Sequence, residues 1–127
     1  MELNQLSTAI DHETGGEVNI LSPVTGDETD VFIKVQGADS KVWRAHKRKQ
    51  TMQMISARAD GKEDDLDYEA MDIEALADVT LEWRGITVDG DEYECTQENA
   101  RKLYENSPSI VAQLLVFISD RENFTKG

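Results

Sequence analysis

Charge in the middle of this chain is sorted by sign. Between Lys41 and Lys62 stand seven bases (Lys41, Arg44, Lys47, Arg48, Lys49, Arg58 and Lys62) and one acid, Asp60. Between Glu63 and Glu82 stand nine acids and no base. Two such stretches either pair with each other or stay solvated, so both belong on the surface of whatever forms. The first predicts a helix over 41–59, capped by Asp39 or Ser40, whose short side chains can accept the free amide protons of a first turn. Its apolar face is thin: Trp43, His46, Met54, Ile55 and Ala57, with Met52 to one side. Residues 63–67 read as an acidic loop. A second helix is expected over 68–82, where Ile73, Leu76, Ala77 and Leu81 keep a helical spacing.

The flanking segments supply the rest of the fold. Residues 1–16 are polar, end in Gly15-Gly16 and read as a flexible N-terminal arm that orders on contact with a partner. Glu17–Leu21 and Val31–Val35 bracket the turn formers Pro23 and Gly26, and Val31, Ile33 and Val35 alternate with Phe32 and Lys34, which predicts a hairpin. Trp83-Arg84-Gly85 closes the second helix. Asp89-Gly90 then makes a turn between Ile86–Val88 and Tyr93–Cys95, a second and very short hairpin. Thr96 caps a helix over 97–106 with Ala100, Leu103 and Tyr104 on one face. Ser107-Pro108 restarts the chain as a helix, since proline at the first helical position loses no hydrogen bond. Ile110, Val111, Leu114, Leu115 and Ile118 form its stripe; Phe117 lies off it and Phe124 beyond the helix end. The expected fold is α+β: a small N-terminal β-hairpin packed with about four α-helices, a predominantly helical C-terminal half, and the last two helices as the tightest unit. Residues 17–127 make one domain.

Bulk properties narrow the function. The 127 residues are 39% hydrophobic, enough for one core, and the net charge is −13. That charge opposes unassisted binding to phosphates or anionic lipid. Cys95 is the single cysteine, so no intrachain disulfide forms, which fits a reducing compartment. Met1-Glu2-Leu3-Asn4 lacks the pattern of a signal peptide. The longest apolar run, Leu114–Ile118, is far short of the ~20 residues that span a bilayer. A cytoplasmic protein is expected, with neither membrane nor nucleic acid as partner.

No chemistry-bearing motif emerges. His12, His46 and Cys95 are widely spaced and read as an arm residue, a helix residue and a small core residue rather than metal ligands. Counted from Asp65, a calcium loop would need glycine and glutamate where Ala70 and Leu76 stand; counted from Asp89, Glu94 and Arg101 stand there. Glu92 and Glu94 lack the nearby lysine of a restriction-type nuclease. No phosphate loop or Gly-x-Ser-x-Gly elbow is present. Asn123-Phe124-Thr125 matches a glycosylation acceptor by chance. No catalytic residue, metal or cofactor is expected.

From Leu81 onward, several features stand in order. Leu81-Glu82-Trp83-Arg84-Gly85-Ile86 precedes the Asp89-Gly90 turn, Tyr93-Glu94-Cys95-Thr96, helix 97–106, Ser107-Pro108-Ser109-Ile110 and Arg121-Glu122-Asn123-Phe124. Upstream stand Ser22–Gly26, Val31–Val35 and Asp39-Ser40. In this order and spacing the chain resembles the tail assembly chaperone family of long-tailed bacteriophages. The resemblance implies a non-catalytic protein that binds the tape measure protein and keeps its apolar helices soluble until the tail tube has formed. It implies self-association, and a longer form made by ribosomal frameshifting that recruits tail tube protein.

Such a role needs an apolar surface on a charged body. Trp43, Met52, Met54 and Ile55 are the candidate client contacts, with a place in the core as the other reading of each. For the charge segregation, two readings stay open. The basic and acidic stretches pair within one chain, or Lys41, Arg44, Lys47, Arg48 and Lys49 of one copy meet Asp72, Glu74 and Asp78 of the next, head to tail, as in rings or filaments. The alternative function is an acidic DNA-mimic inhibitor of a host nuclease or DNA-binding protein. A metal-dependent enzyme is the third.

Overall fold

The computed structural model describes residues 1–124, so Thr125, the last member of the Asn-Phe-Thr triplet, lies outside the described residues, as does the end of the domain expected at 17–127. Two short helices, α1 (Leu3–Leu6) and α2 (Ala9–Thr14), lead into strands β1 (Gly16–Leu21) and β2 (Glu28–Val35). Then come α3 (Lys41–Ala59), a 3-10 turn at Glu63–Asp65, α4 (Tyr68–Val79) and β3 (Thr80–Arg84). A two-residue pair, β4 (Thr87–Val88) and β5 (Asp91–Glu92), precedes α5 (Gln97–Glu105), α6 (Pro108–Ser119) and a closing 3-10 turn at Arg121–Asn123. The α+β class is as expected.

The sheet has the order β1-β2-β3 and is antiparallel throughout. Strand β2 is central, and Ile33 faces Val18 on one side and Trp83 on the other. Its period of two drives Ile33 and Val35 into the core at 0% exposure. Val18, Ile20 and Trp83 join them from the flanking strands. Each such aliphatic side chain contributes about 1.5–3 kcal/mol when fully withdrawn from water.

Helix α4 is the buried middle of the helical layer. Ile73, Ala75, Leu76, Ala77 and Val79 are all buried, and the two alanines leave room for close neighbours. Asp67 caps its first turn by accepting from the Ala70 amide at 2.9 Å. The helix stops at Val79 rather than at 82. Thr80 turns extended (φ −74°, ψ 121°). Its side chain donates to Leu76 O at 2.7 Å and meets the Tyr104 hydroxyl at 2.6 Å. Residues 80–84 then complete the sheet, with Val35 opposite Thr80 and Lys34 opposite Glu82. Because α4 feeds straight into β3, α5 packs chiefly on α4 and less on α6, contrary to the expected pairing of the last two helices. Leu114 and Ile118 of α6 reach the core with Ala100 and Tyr104 of α5. Phe124 is also buried, at 4% exposure, although it lies beyond the last helix.

Gly85 makes the exit from β3 possible. It has φ +87°, and a Cβ there would stand 2.1 Å from the Asp30 carbonyl oxygen. Both the left-handed backbone and the contact exclude a side chain. Beyond it, Trp83 stacks on Tyr93 with ring centroids 5.8 Å apart and donates its indole N–H to the Tyr93 carbonyl at 2.7 Å. Gly85→Ala is therefore expected to lower the unfolding free energy by about 2 kcal/mol or more, read as a fall in the urea midpoint at unchanged slope.

Candidate interaction surfaces

Helix α3 begins at Ser40, whose buried hydroxyl accepts from the Trp43 amide at 3.3 Å and donates to Gly37 O at 2.7 Å. Its 3.6-residue period sorts the side chains onto two faces. Trp43, His46, Lys47, Gln50, Met54 and Ala57 are buried or half-buried, whereas Lys41, Arg44, Arg48, Lys49, Met52, Ile55 and Ala59 are exposed. The inner face is joined to α4 mainly by polar contacts. His46 Nε2 lies 2.7 Å from Asp78 Oδ2, and the other oxygen of Asp78 accepts from Gln97 of α5 at 3.2 Å. Lys47 Nζ and Gln50 Nε2 each stand 3.3 Å from Asp72 Oδ1. Lys47 also lies over the Trp43 ring, 4.7 Å from its centroid.

These contacts sort the expected residues. Trp43 is 7% exposed and belongs to the core, not to a client surface. Lys47 is engaged by Asp72, and Asp78 by His46, within the chain. Those three take partners within the chain, as one of the two readings has it, so part of the charge segregation is satisfied internally. Glu74 is exposed and lines a shallow hollow with Lys49 and Met71. Lys41, Arg44, Arg48 and Lys49 remain on the outer face with no ion pair among the described residues. Met54 is half-buried. Met52 and Ile55 are exposed at 61% and 55%.

Past Trp43, α3 has no buried side chain. Its second half keeps Met54 and Ala57 half-buried, and the rest of its side chains from Thr51 to Ala59 are exposed. The helix leads into a tip, residues 60–69, with six acids against Lys62. Arg58 reaches Glu63 there at 3.9 Å, an exposed pair of little consequence.

The N-terminal segment is placed differently from the expected loose arm. Residues 9–14 are helical and residue 16 opens β1. His12 is 0% exposed. Its Nδ1 accepts from the Asp39 amide at 2.9 Å, and its ring lies 4.7 Å from that of Phe124. A Cβ on residue 37 would fall 2.2 Å from that nitrogen, so only glycine leaves the socket open. Asp39 also takes two hydrogen bonds from Arg121, each 2.9 Å, and one from the Thr8 hydroxyl. Nothing in the sequence pattern pointed to this junction, because its members are singletons in loops and short turns. Met1, Leu3, Leu6 and Ile10 stay exposed.

Elsewhere the surface offers shape without chemistry. An open groove of about 570 Å³ runs between β1 and α6, lined by Val18, Leu21, Ala112, Val116 and Phe117. Another of about 500 Å³ lies under the corner of α5 and α6. Among the described residues no group of three or more His, Cys, Asp and Glu converges as metal ligands do. Burial, with Glu82 adding, raises the pKa of the half-buried Cys95 thiol, which keeps it protonated. No described helix is long and apolar enough to cross a membrane. No protein-family model matches the chain, and no curated protein or solved structure matches it either.

The junction predicts a pH dependence. Burial, with a smaller push from Arg121, lowers the His12 pKa against the pull of Asp39 and Asp11. Folding therefore excludes a proton that the unfolded chain binds, so this contribution is whole above about pH 6.5 and lost progressively below it. Asp39 is held at about 2, first by the Arg121 hydrogen bond. Its contribution is whole above about pH 4 and goes in a separate, more acidic window. Urea midpoints are expected to fall between about pH 7 and pH 5, and His12→Asn, which keeps an acceptor but does not titrate, is expected to flatten that slope. An unchanged slope in the variant would assign the dependence to other groups.

Proposed function

We propose that this chain is a tail assembly chaperone of long-tailed bacteriophages. In this reading it is a non-catalytic, self-associating protein of the bacterial host cytoplasm. It binds the tape measure protein and keeps that client's apolar helices soluble while the tail tube forms. A frameshifted longer form would bring in the tube protein. The observation that carries the reading is the outer side of the second half of α3, which presents Met52 and Ile55 to solvent on a strongly acidic chain. Methionine adapts its shape to varied apolar partners, and an amphipathic client helix needs a linear apolar contact of this kind. The high net charge supports holding an aggregation-prone client in solution. The client surface so defined is Met52 and Ile55 with the edge of Met54, and excludes Trp43.

The acidic inhibitor is less well supported. A DNA mimic needs acids spaced along one continuous face, whereas Asp72 and Asp78 of the acidic stretch are engaged by Lys47 and His46 within the chain.

The test is co-expression with the tape measure protein. The chain is expected to move that client from the pellet to the soluble fraction. Met52→Glu with Ile55→Glu should leave folding intact, since both sites are exposed, and reduce client rescue roughly tenfold. A client that stays insoluble with the unaltered chain overturns the reading. Recovery of a host nuclease on the chain in its place would support the inhibitor.

A further inference from the structure

The outer face of α3 has an order that the two-faced helix alone does not require. Its first half carries Lys41, Arg44, Arg48 and Lys49, its middle carries Met52 and Ile55, and its far end passes into the acidic tip at 60–69. Arg48, Met52, Ile55 and Ala59 follow at intervals of four, three and four, which keeps them on one side of the helix. The helix is ~28 Å long, so the basic half and the acidic tip of one chain are held too far apart to meet.

We propose that this face is an isologous interface for a second copy of the chain. The two α3 helices lie antiparallel across a two-fold axis near residues 52–55. In that arrangement Met52 and Ile55 of one copy cover Ile55 and Met52 of the other. Arg44 and Arg48 come alongside Asp60, Glu63 and Asp64 of the second copy, and the same contact is made again by symmetry. One rotation thus satisfies the basic half, the apolar middle and the acidic tip together. The bodies lie on opposite sides of the helix pair, because each is attached through the inner face. Leu6 and Ile10 border Arg44 in an adjoining hollow, and Tyr68, 47% exposed on the tip, is the side chain that would reach it. A head-to-tail contact between the same charges leaves Met52 and Ile55 uncovered and does not stop at two. The dimer covers the same Met52 and Ile55 that the chaperone reading assigns to the client, so client and second copy would compete for them; the test reads the purified chain alone and stands whether or not that reading holds.

The test is mass by light scattering across concentration, at about 20 mM and about 500 mM salt. The expected result is growth to twice the monomer mass and no further, weakened several-fold by high salt. Arg44→Glu with Arg48→Glu is expected to remain monomeric at low salt, as is a second variant with Asp60→Lys, Glu63→Lys and Asp64→Lys. Mixing the two restores both charged contacts and should restore the dimer. In a Cys95→Ser background, Met52→Cys should form a disulfide-linked dimer on mild oxidation, because that position sits beside the axis. A monomer at every concentration and salt overturns the proposal. So does mass that grows beyond two, or a Met52→Cys chain that dimerises without cross-linking.

Discussion

Asp39 stands where three distant parts of the chain meet, and its backbone and side chain serve different partners. Its amide is the donor that holds His12, and its carboxylate takes the fork of Arg121 and the Thr8 hydroxyl. One residue before the cap of α3, it therefore ties the first helices and the closing turn to the start of the long helix. A carboxylate met by a guanidinium in two hydrogen bonds is among the stronger polar contacts available to a protein. Its value here is also geometric. It seats the imidazole against Gly37 and Phe124, closing the end of the core that β2 leaves open after Val35.

The rest of the helical layer is held by unequal means. The sheet, α4, α5 and α6 share a continuous apolar core in which Ile33, Leu76 and Leu114 are fully buried. Helix α3 adds Trp43 to that core and otherwise leans on pairs such as Lys47–Asp72 and His46–Asp78. Partly exposed pairs contribute about 0–1 kcal/mol each, against about 1.5–3 for each buried aliphatic side chain. The charged seam sets where α3 lies along α4, while the core supplies the stability. The same seam consumes part of the opposite charge that the sequence places in adjacent stretches.

Much of this was legible beforehand, for identifiable reasons. The hairpin, α3, α5 and α6 follow from period, caps and the Ser-Pro restart, which are local signals. Leu81 continues the helical spacing of α4 and so predicts that helix three residues too long. Pairing of 80–84 with β2, a contact between residues some 50 apart in sequence, overrode that spacing. The polar composition of the N-terminal segment predicts a loose arm, whereas its buried anchor is a histidine whose partner stands 27 positions away. Trp43 fits core and surface equally well by its residue type; in the fold the helical period places it with His46 and Gln50 on the inner face. Met52 and Ile55 are legible as contact candidates, but their exposure is not, because the thin apolar stripe alone does not say which side of α3 faces the body.

The outward side of the second half of α3 is covered by nothing among the described residues of the monomer. From Thr51 to Ala59 no side chain is buried, and the backbone is held by its own helical hydrogen bonds. Almost any helix-forming residue on the outward side would serve the fold equally well there. The monomer thus imposes no rule on that side of the segment, and any constraint on which residues occupy it originates with another molecule. Sequence drift at positions 52 and 55 is a ledger of what the chain touches, kept separate from what the chain needs in order to fold.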